Sequence, residues 1–339
     1  MPTNSQSMKI LFLVMPNFNL AATMAFADPF RAANYLGGLT RFRWVVASPA
    51  GGSCLASNGV AIQTEKLNSV EEDVFEIIVV SASWTPETAS TPHLLAMLRK
   101  WARTGCIIGG LDTGAFILAE AGLLNGRLAT VHYEHIDSFK ELYPEVEVSE
   151  DIFIHDGKRF TCSGGIASAD IALHLILGSA GDALANAAAR YIFHPMLRPA
   201  GTSQNPAGAE PLGRTTPKVV RHVISIMELH LEQTLSIPEL CDKADVSQRQ
   251  LDRLFKQYVG KTPALYYRDI RLDRARGLVT QTDMLMSEIA VASGFSSQVH
   301  FSRAYRERFG LSPRSDRVEG RIPFEFRAWP MHRQAQDIV

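Results

Sequence analysis

The chain has 339 residues, of which 46% are hydrophobic and 20% charged, with a formal net charge of −1. That length accommodates two domains, the composition is that of an ordinary globular protein, and no run approaches the ~20 apolar residues of a membrane span. The start, MPTNSQSMKILFLVMP, lacks the layout of a secretory signal, and Cys54, Cys106, Cys162 and Cys241 stand far apart without metal-ligand spacing, so reduced thiols in a cytoplasmic protein are expected.

In chain order, KILFLVMP (9–16) reads as a strand, followed by a helix through Leu20 to Leu36. FRWVVASP (42–49) and FEIIVVSAS (75–83) are further strands, and a helix is expected over His93 to Thr104. CIIGGL is the next strand and Thr113 to Leu124 the next helix. ATVHY (129–133) follows, then a hairpin over 151–165 turning at Asp156-Gly157, a pair suited to a tight turn. Helices are expected over Ser168 to Leu177 and Asp182 to Phe193. Continuous apolar strands alternating with helices imply a parallel sheet covered on both faces, whose ligands bind beyond the carboxyl ends of the strands.

Residues 199–217, PAGTSQNPAGAEPLGRTTP, keep no hydrophobic period and read as a linker. They separate a first domain, 1–198, from a second, 218–317, with a tail over 318–339. The second region is basic: 17 Lys and Arg against 12 Asp and Glu between Arg214 and Arg317. A basic module joined to an acidic one points to a polyanion partner. It shows helices only, and an internal repeat. VSQRQLDRLFKQYVGKTP (246–263) aligns with SSQVHFSRAYRERFGLSP (296–313); from Gln248 to Pro263 the offset is a constant 50. Each copy follows a short helix and a turn, carrying Asp245-Val246 and Gly294-Phe295, which is the helix-turn-helix arrangement. A long helix from Pro263 to Thr280 joins the copies. The outward face offers Gln248, Arg249, Asp252 and Arg253 in the first copy and Gln298, Val299, His300 and Arg303 in the second. Arg suits guanine and Gln adenine in the major groove. Ser247 and Ser297 stand at helix starts, where hydroxyls and backbone N–H groups meet phosphates.

Residues 219–317 resemble the DNA-binding domain of AraC/XylS-type transcription regulators, which implies two recognition helices in successive major grooves of double-stranded promoter DNA, roughly one helical turn (~34 Å) apart. One departure is that SPRSDR puts Asp316 before Arg317, where the family usually has an aromatic-Arg pair after Ser-Pro. The first domain resembles the class I glutamine amidotransferase-like, flavodoxin-like α/β fold through GGLDTGAFILAEAGLLNGR, ATVHYEH and RFTCSGGIASADIALHLI. Together the halves resemble the GlxA-type branch, nearest to regulators of arginine and of quaternary-amine (glycine betaine, carnitine) catabolism. The resemblance implies an all-α double helix-turn-helix module, a small-molecule effector, RNA polymerase and a second copy of the chain as partners, and no cofactor.

Enzymes of this fold place a thiolate at the strand-helix bend, since the ionised thiol is the nucleophile. Here Asp112 stands at that position, Thr113 where some members have a histidine, and Asn19 near the usual glutamate. The elbow persists without its chemistry, so no catalysis is expected. Asp112 caps its helix, or else Asp112 or Glu134 balances a cationic ligand group; Trp84 and Tyr133 would offer aromatic faces to a quaternary ammonium. His132 and His135 have a spacing that suits a metal, but hydrogen-bonding roles are expected for want of a third ligand. CSGG (162–165) is expected to close the pocket wall. Two alternatives stay open: a bifunctional enzyme-regulator with amidase- or glyoxalase-type activity, and a ligand-independent regulator whose first half only dimerises.

Overall fold

A computed structural model describes residues 7–84, 86, 89–194, 197–204 and 216–319, which form two compact units, the first extending to Gln204. In the first unit, strand β1 (Met8–Val14) leads through α1 (Leu20–Gly37) to β2 (Phe42–Ser48), β3 (Gly52–Leu55) and β4 (Ala61–Lys66). β5 (Ile77–Ala82), α2 (Pro92–Arg103), β6 (Ile107–Asp112) and α3 (Gly114–Glu120) follow. Then come β7 (Leu128–Ala129), α4 (Ile136–Leu142), β8 (Glu147–Val148), β9 (Phe153–Asp156), β10 (Arg159–Cys162), α5 (Ala167–Ala180) and α6 (Asp182–Tyr191). Among the described residues the main sheet has the order β3-β4-β2-β1-β5-β6-β10-β9. Its centre is parallel, while both edges, β3 on β4 and β9 on β10, are antiparallel.

The apolar runs work because successive side chains point to opposite faces. Ile10, Phe12, Ile77 and Val79 pack with Phe26 and Phe30 of α1 and Ile171 of α5, whereas Leu11, Leu13, Ile78 and Val80 pack with α2 and α3 through Leu94, Leu98 and Ile117. Each fully buried large side chain contributes roughly 1.5–3 kcal/mol. Phe160 of β10 lies opposite Gly109 of β6, where an added Cβ would come within 2.2 Å of its ring. That room lets Phe160 stack on Phe26, with ring centroids 5.6 Å apart.

Two expectations need correction. The parallel sheet is mixed, because the polar, largely exposed segments 52–55 and 61–66 add an antiparallel pair at one edge. In the run at 129–133 only Ala129 is strand, since the Thr130 N–H turns to Thr161 Oγ1 (2.7 Å) and Tyr133–His135 forms a 3-10 turn. The expected helix from Thr113 to Leu124 covers only Gly114–Glu120.

The chain leaving α6 is tied down. Asp170, its side chain fully buried in α5, accepts from His194 Nε2 (2.8 Å), from the Arg198 backbone N–H (2.9 Å) and from Arg198 Nη2 (2.6 Å). Residues 199–204, linker-like in composition, run on against 150–152. Thr202 O accepts from the Ile152 N–H and Glu150 O from the Gln204 N–H, both at 2.8 Å. Gln204 Nε2 donates to Thr130 Oγ1, Val131 O and Asp151 O at 2.9, 2.8 and 3.1 Å. The rest of the expected linker, 205–215, lies outside the described residues, as does the tail from 320.

The second unit is helical: α7 (Lys218–Leu229), α8 (Ile237–Lys243), α9 (Gln248–Tyr258), α10 (Pro263–Gln281), α11 (Met286–Ala292), α12 (Gln298–Phe309) and α13 (Pro313–Glu319). It has two cores. One gathers Val223, Leu240, Leu251, Phe255 and Tyr267; the other gathers Leu272, Leu278, Ile289, Phe301 and Tyr305. Helix α10 enters both. The departure at Asp316 has a structural use: its buried carboxylate accepts from Tyr305 Oη (2.7 Å) and Arg276 Nε (3.0 Å), which seats α13. Burial, with Asp316 beside it, pushes the Tyr305 phenol far up.

Candidate functional site

Strand β6 delivers Asp112 to its carboxyl end, and the backbone there turns into the left-handed region, φ 59°. A non-glycine residue at positive φ is uncommon and points to function when the surroundings enforce it. The elbow around it is closely packed. An added Cβ on Gly110 would lie 2.7 Å from the backbone at the start of α3, and one on Gly114 would lie 2.2 Å from Val80 O. From the far side, a Cβ on Gly164 would come within 2.9 Å of Asp112 Cβ, so Gly164 stands directly against the elbow.

Asn19 Nδ2 donates to Asp112 Oδ2 at 2.8 Å, while Asn19 Oδ1 accepts from the Ala22 N–H and caps α1. The cap reading of Asp112 does not hold. The N-cap of α3 is Thr113, without a side-chain cap bond, and its hydroxyl instead donates to Ser83 O. Thr23 and Ser81, whose hydroxyls are 2.8 Å apart, complete a buried polar floor. Burial pushes the Asp112 carboxyl up; the charge of His132 and the Asn19 hydrogen bond act in the opposite direction, and Glu134 reinforces burial. Trp84 is half-buried and follows Ser83, so its backbone is anchored one residue from the Thr113 contact.

His132, Tyr133, Glu134 and His135 make the neighbouring loop. The His132 and Tyr133 ring centroids are 4.5 Å apart, and Tyr133, 60% exposed, donates from Oη to Glu134 Oε1 at 3.4 Å. The sequence reading lacked a third metal ligand beside the two histidines. Glu134 supplies one: ligand atoms of His132, Glu134 and His135 all lie within 4.8 Å of one another. The four cysteines are buried and none stands at the elbow; Cys162 is pushed up to about 12 by burial. Ser83 was not singled out by sequence, because it acts through its backbone carbonyl.

In the second unit, Ser247 and Ser297 cap α9 and α12, accepting from the Gln250 N–H (3.3 Å) and the His300 N–H (3.2 Å). The preceding turns match: the Val246 N–H donates to Cys241 O and the Phe295 N–H to Ala290 O, with Asp245 and Gly294 both at positive φ. Leu251 and Phe255, and likewise Phe301 and Tyr305, are buried. This leaves Gln248, Arg249, Asp252 and Arg253 exposed on α9, and Gln298, Val299, His300 and Arg303 exposed on α12. Ion pairs hold α12 to α10: Arg308 contacts Asp269 (3.0 Å) and Asp273 (2.6 Å), and Arg268 contacts Glu307 (3.2 Å).

Comparison with known proteins agrees with both halves. Residues 8–177 match the DJ-1/PfpI family and residues 240–318 match the helix-turn-helix domain. The chain is 40% identical to the HTH-type transcriptional regulator CdhR of Pseudomonas aeruginosa, over 91% of this chain and 90% of that one. It is 35% identical to the HTH-type transcriptional regulator GlxA of Rhizobium meliloti, over 91% and 94% respectively. A crystal structure of an AraC family transcriptional regulator from Pseudomonas putida shares the fold of the first unit, with a TM-score of 0.51 at 24% identity, covering 55% of this chain and 99% of that one. With its DJ-1/PfpI domain, its AraC-type double helix-turn-helix and relatives matching along nearly the whole chain, the protein belongs to the GlxA-type branch of the AraC-family DNA-binding transcriptional regulators.

Proposed function

We propose that the first unit senses a small cationic metabolite, an amino acid or a quaternary amine, and that its occupancy shifts how the regulator engages promoter DNA and RNA polymerase as a homodimer. The observation that carries this reading is Asp112, a buried carboxyl at the apex where the enzymes of the fold carry a thiol. A carboxyl kept from water is poorly stabilised as an anion, so a bound cation supplies what burial removes. Trp84 and Tyr133 would give the cation aromatic faces, Glu134 a second charge, and Asn19, Thr113 and His132 the polar frame. A shift of this kind requires only that the ligand bind one arrangement of the regulator better than another.

On the DNA side, Gln248, Arg249, Asp252 and Arg253, with Gln298, His300 and Arg303, would meet base edges. Ser247 and Ser297 would lie near phosphates while capping their helices. The test is titration calorimetry of the full chain against a panel of amino acids and quaternary amines, repeated with Asp112→Asn. Tight binding of one compound by the wild type and its loss in the variant are expected. No binding across the panel would leave a first unit that only dimerises. A second reading is residual hydrolytic chemistry at the elbow, for which the Asp112 carboxylate would need an acid/base partner. Turnover of amides or glyoxals by the full chain, lost in Asp112→Asn, would establish it.

A further inference from the structure

We propose that His132, Glu134 and His135 form a site for one divalent transition-metal ion of the zinc class. Two imidazoles and one carboxylate converge, with ligand atoms within 4.8 Å of one another, and they come from a stretch of four residues. The stretch is held in place without the ion. The His135 N–H donates to His132 O (2.8 Å), closing the 3-10 turn, and Ser138 Oγ donates to His135 O (2.9 Å). Phe116 of α3 backs the His135 ring, centroids 6.0 Å apart, so the loop rests on the elbow helix. His132 Nδ1 takes only a 3.4 Å contact from the Glu134 N–H, near the limit of a hydrogen bond and easily given up.

Ligand type selects the ion. Imidazole nitrogens with one carboxylate suit Zn²⁺, Co²⁺ or Ni²⁺, whereas Mg²⁺ and Ca²⁺ require oxygen donors. Three protein ligands leave a position open, as in metal sites that take a further ligand. His132 and Glu134 both act electrostatically on Asp112. A metal on the loop would therefore repel a second cation at the elbow, and by linkage each would weaken the other's binding by the same factor.

The inference does not rest on the identity of the organic ligand. Tag-free full-length protein is titrated with Zn²⁺ by calorimetry and with Co²⁺ by visible absorption, beside Glu134→Gln, His135→Ala and the triple variant H132A/E134A/H135A. Thermal melts of each variant check the fold. One Zn²⁺ per chain is expected, with at least about tenfold weaker binding in each single variant and none in the triple variant. The Co²⁺ form should show the intense visible bands of a low-coordinate site. The buried cysteines offer no competing surface thiolate. Equal stoichiometry and affinity in the wild type and the folded triple variant would overturn the proposal, as would no binding by the wild type. A wild type that binds an amine but no Zn²⁺ leaves the sensing reading intact and removes this one; the reverse result keeps this one and removes the other.

Discussion

Asn19 and Asp112, 93 residues apart in sequence, are joined by a 2.8 Å hydrogen bond that runs from the cap of α1 to the apex of the elbow. The same asparagine both starts a helix and supports the buried carboxyl, so ordering of the first helix and charging of the site are coupled.

Asp112→Asn tests that coupling through pH. The folded-state pKa of Asp112 is raised above its unfolded value, chiefly by burial. Its contribution to stability is therefore fully present below the unfolded pKa, about 3.9, and is lost as pH rises through the folded value. The asparagine keeps an acceptor for Asn19 and carries no charge. It should stabilise the first unit at neutral pH by roughly 0.5–2 kcal/mol, with the difference shrinking towards acid. Thermal melts of both proteins from acid to mildly alkaline pH give the measurement; parallel curves would show that burial does not burden the carboxyl.

Gly114→Ala should damage the elbow. The new methyl would stand 2.2 Å from Val80 O, a backbone atom of the central sheet that cannot move alone. A loss of roughly 1–3 kcal/mol is expected, read by denaturant unfolding of the full chain. An unchanged midpoint would mean that the elbow is looser than its geometry indicates.

Arg253→Ala and Arg303→Ala should each weaken binding to the specific operator by about 1–3 kcal/mol and relax discrimination at one base position. Fluorescence anisotropy against operator and scrambled duplexes at fixed salt separates this from loss of a phosphate contact, which would weaken both alike. Operator affinity unchanged in both variants would remove the major-groove assignment.

Asp316→Ala should cost the second unit roughly 1.5–3 kcal/mol, because Tyr305 Oη and Arg276 lose the acceptor they share in a buried setting. Asp316→Asn should restore part of this. If alanine and asparagine unfold alike, the anchor works through shape and not through its oxygen acceptors.

The sequence was legible where burial is two-sided or repeated. β1, β5 and β6 read as strands because nearly every residue in them is apolar. The two helix-turn-helix copies read through a constant offset that no solvated face would keep. β3 and β4 did not read, since their side chains are mostly polar and exposed and their order comes from edge pairing. The run ATVHY ends its strand at Ala129 for a local reason that no sequence pattern shows: the Thr130 N–H finds Thr161 Oγ1. Asp112 was visible as an elbow apex, but its contact with Asn19 rests on a fold resemblance, because no spacing rule connects residues so distant. Likewise Gln204 sits in a stretch whose composition reads as linker, and its amide, bonded to Thr130, Val131 and Asp151, together with the backbone bonds to 150–152 shows that the first unit continues to it.

Helix α10 carries one more consequence. It contributes Tyr267 to the first core and Leu272 and Leu278 to the second, and it is bolted to α12 through Arg308. Helices α9 and α12 are therefore packed on one shared helix. With α9 and α12 in the major groove as proposed, such a body would gauge the winding of the duplex as well as its letters: two half-sites moved apart by half a turn, about 5 base pairs, would face opposite sides of the DNA and only one could be read.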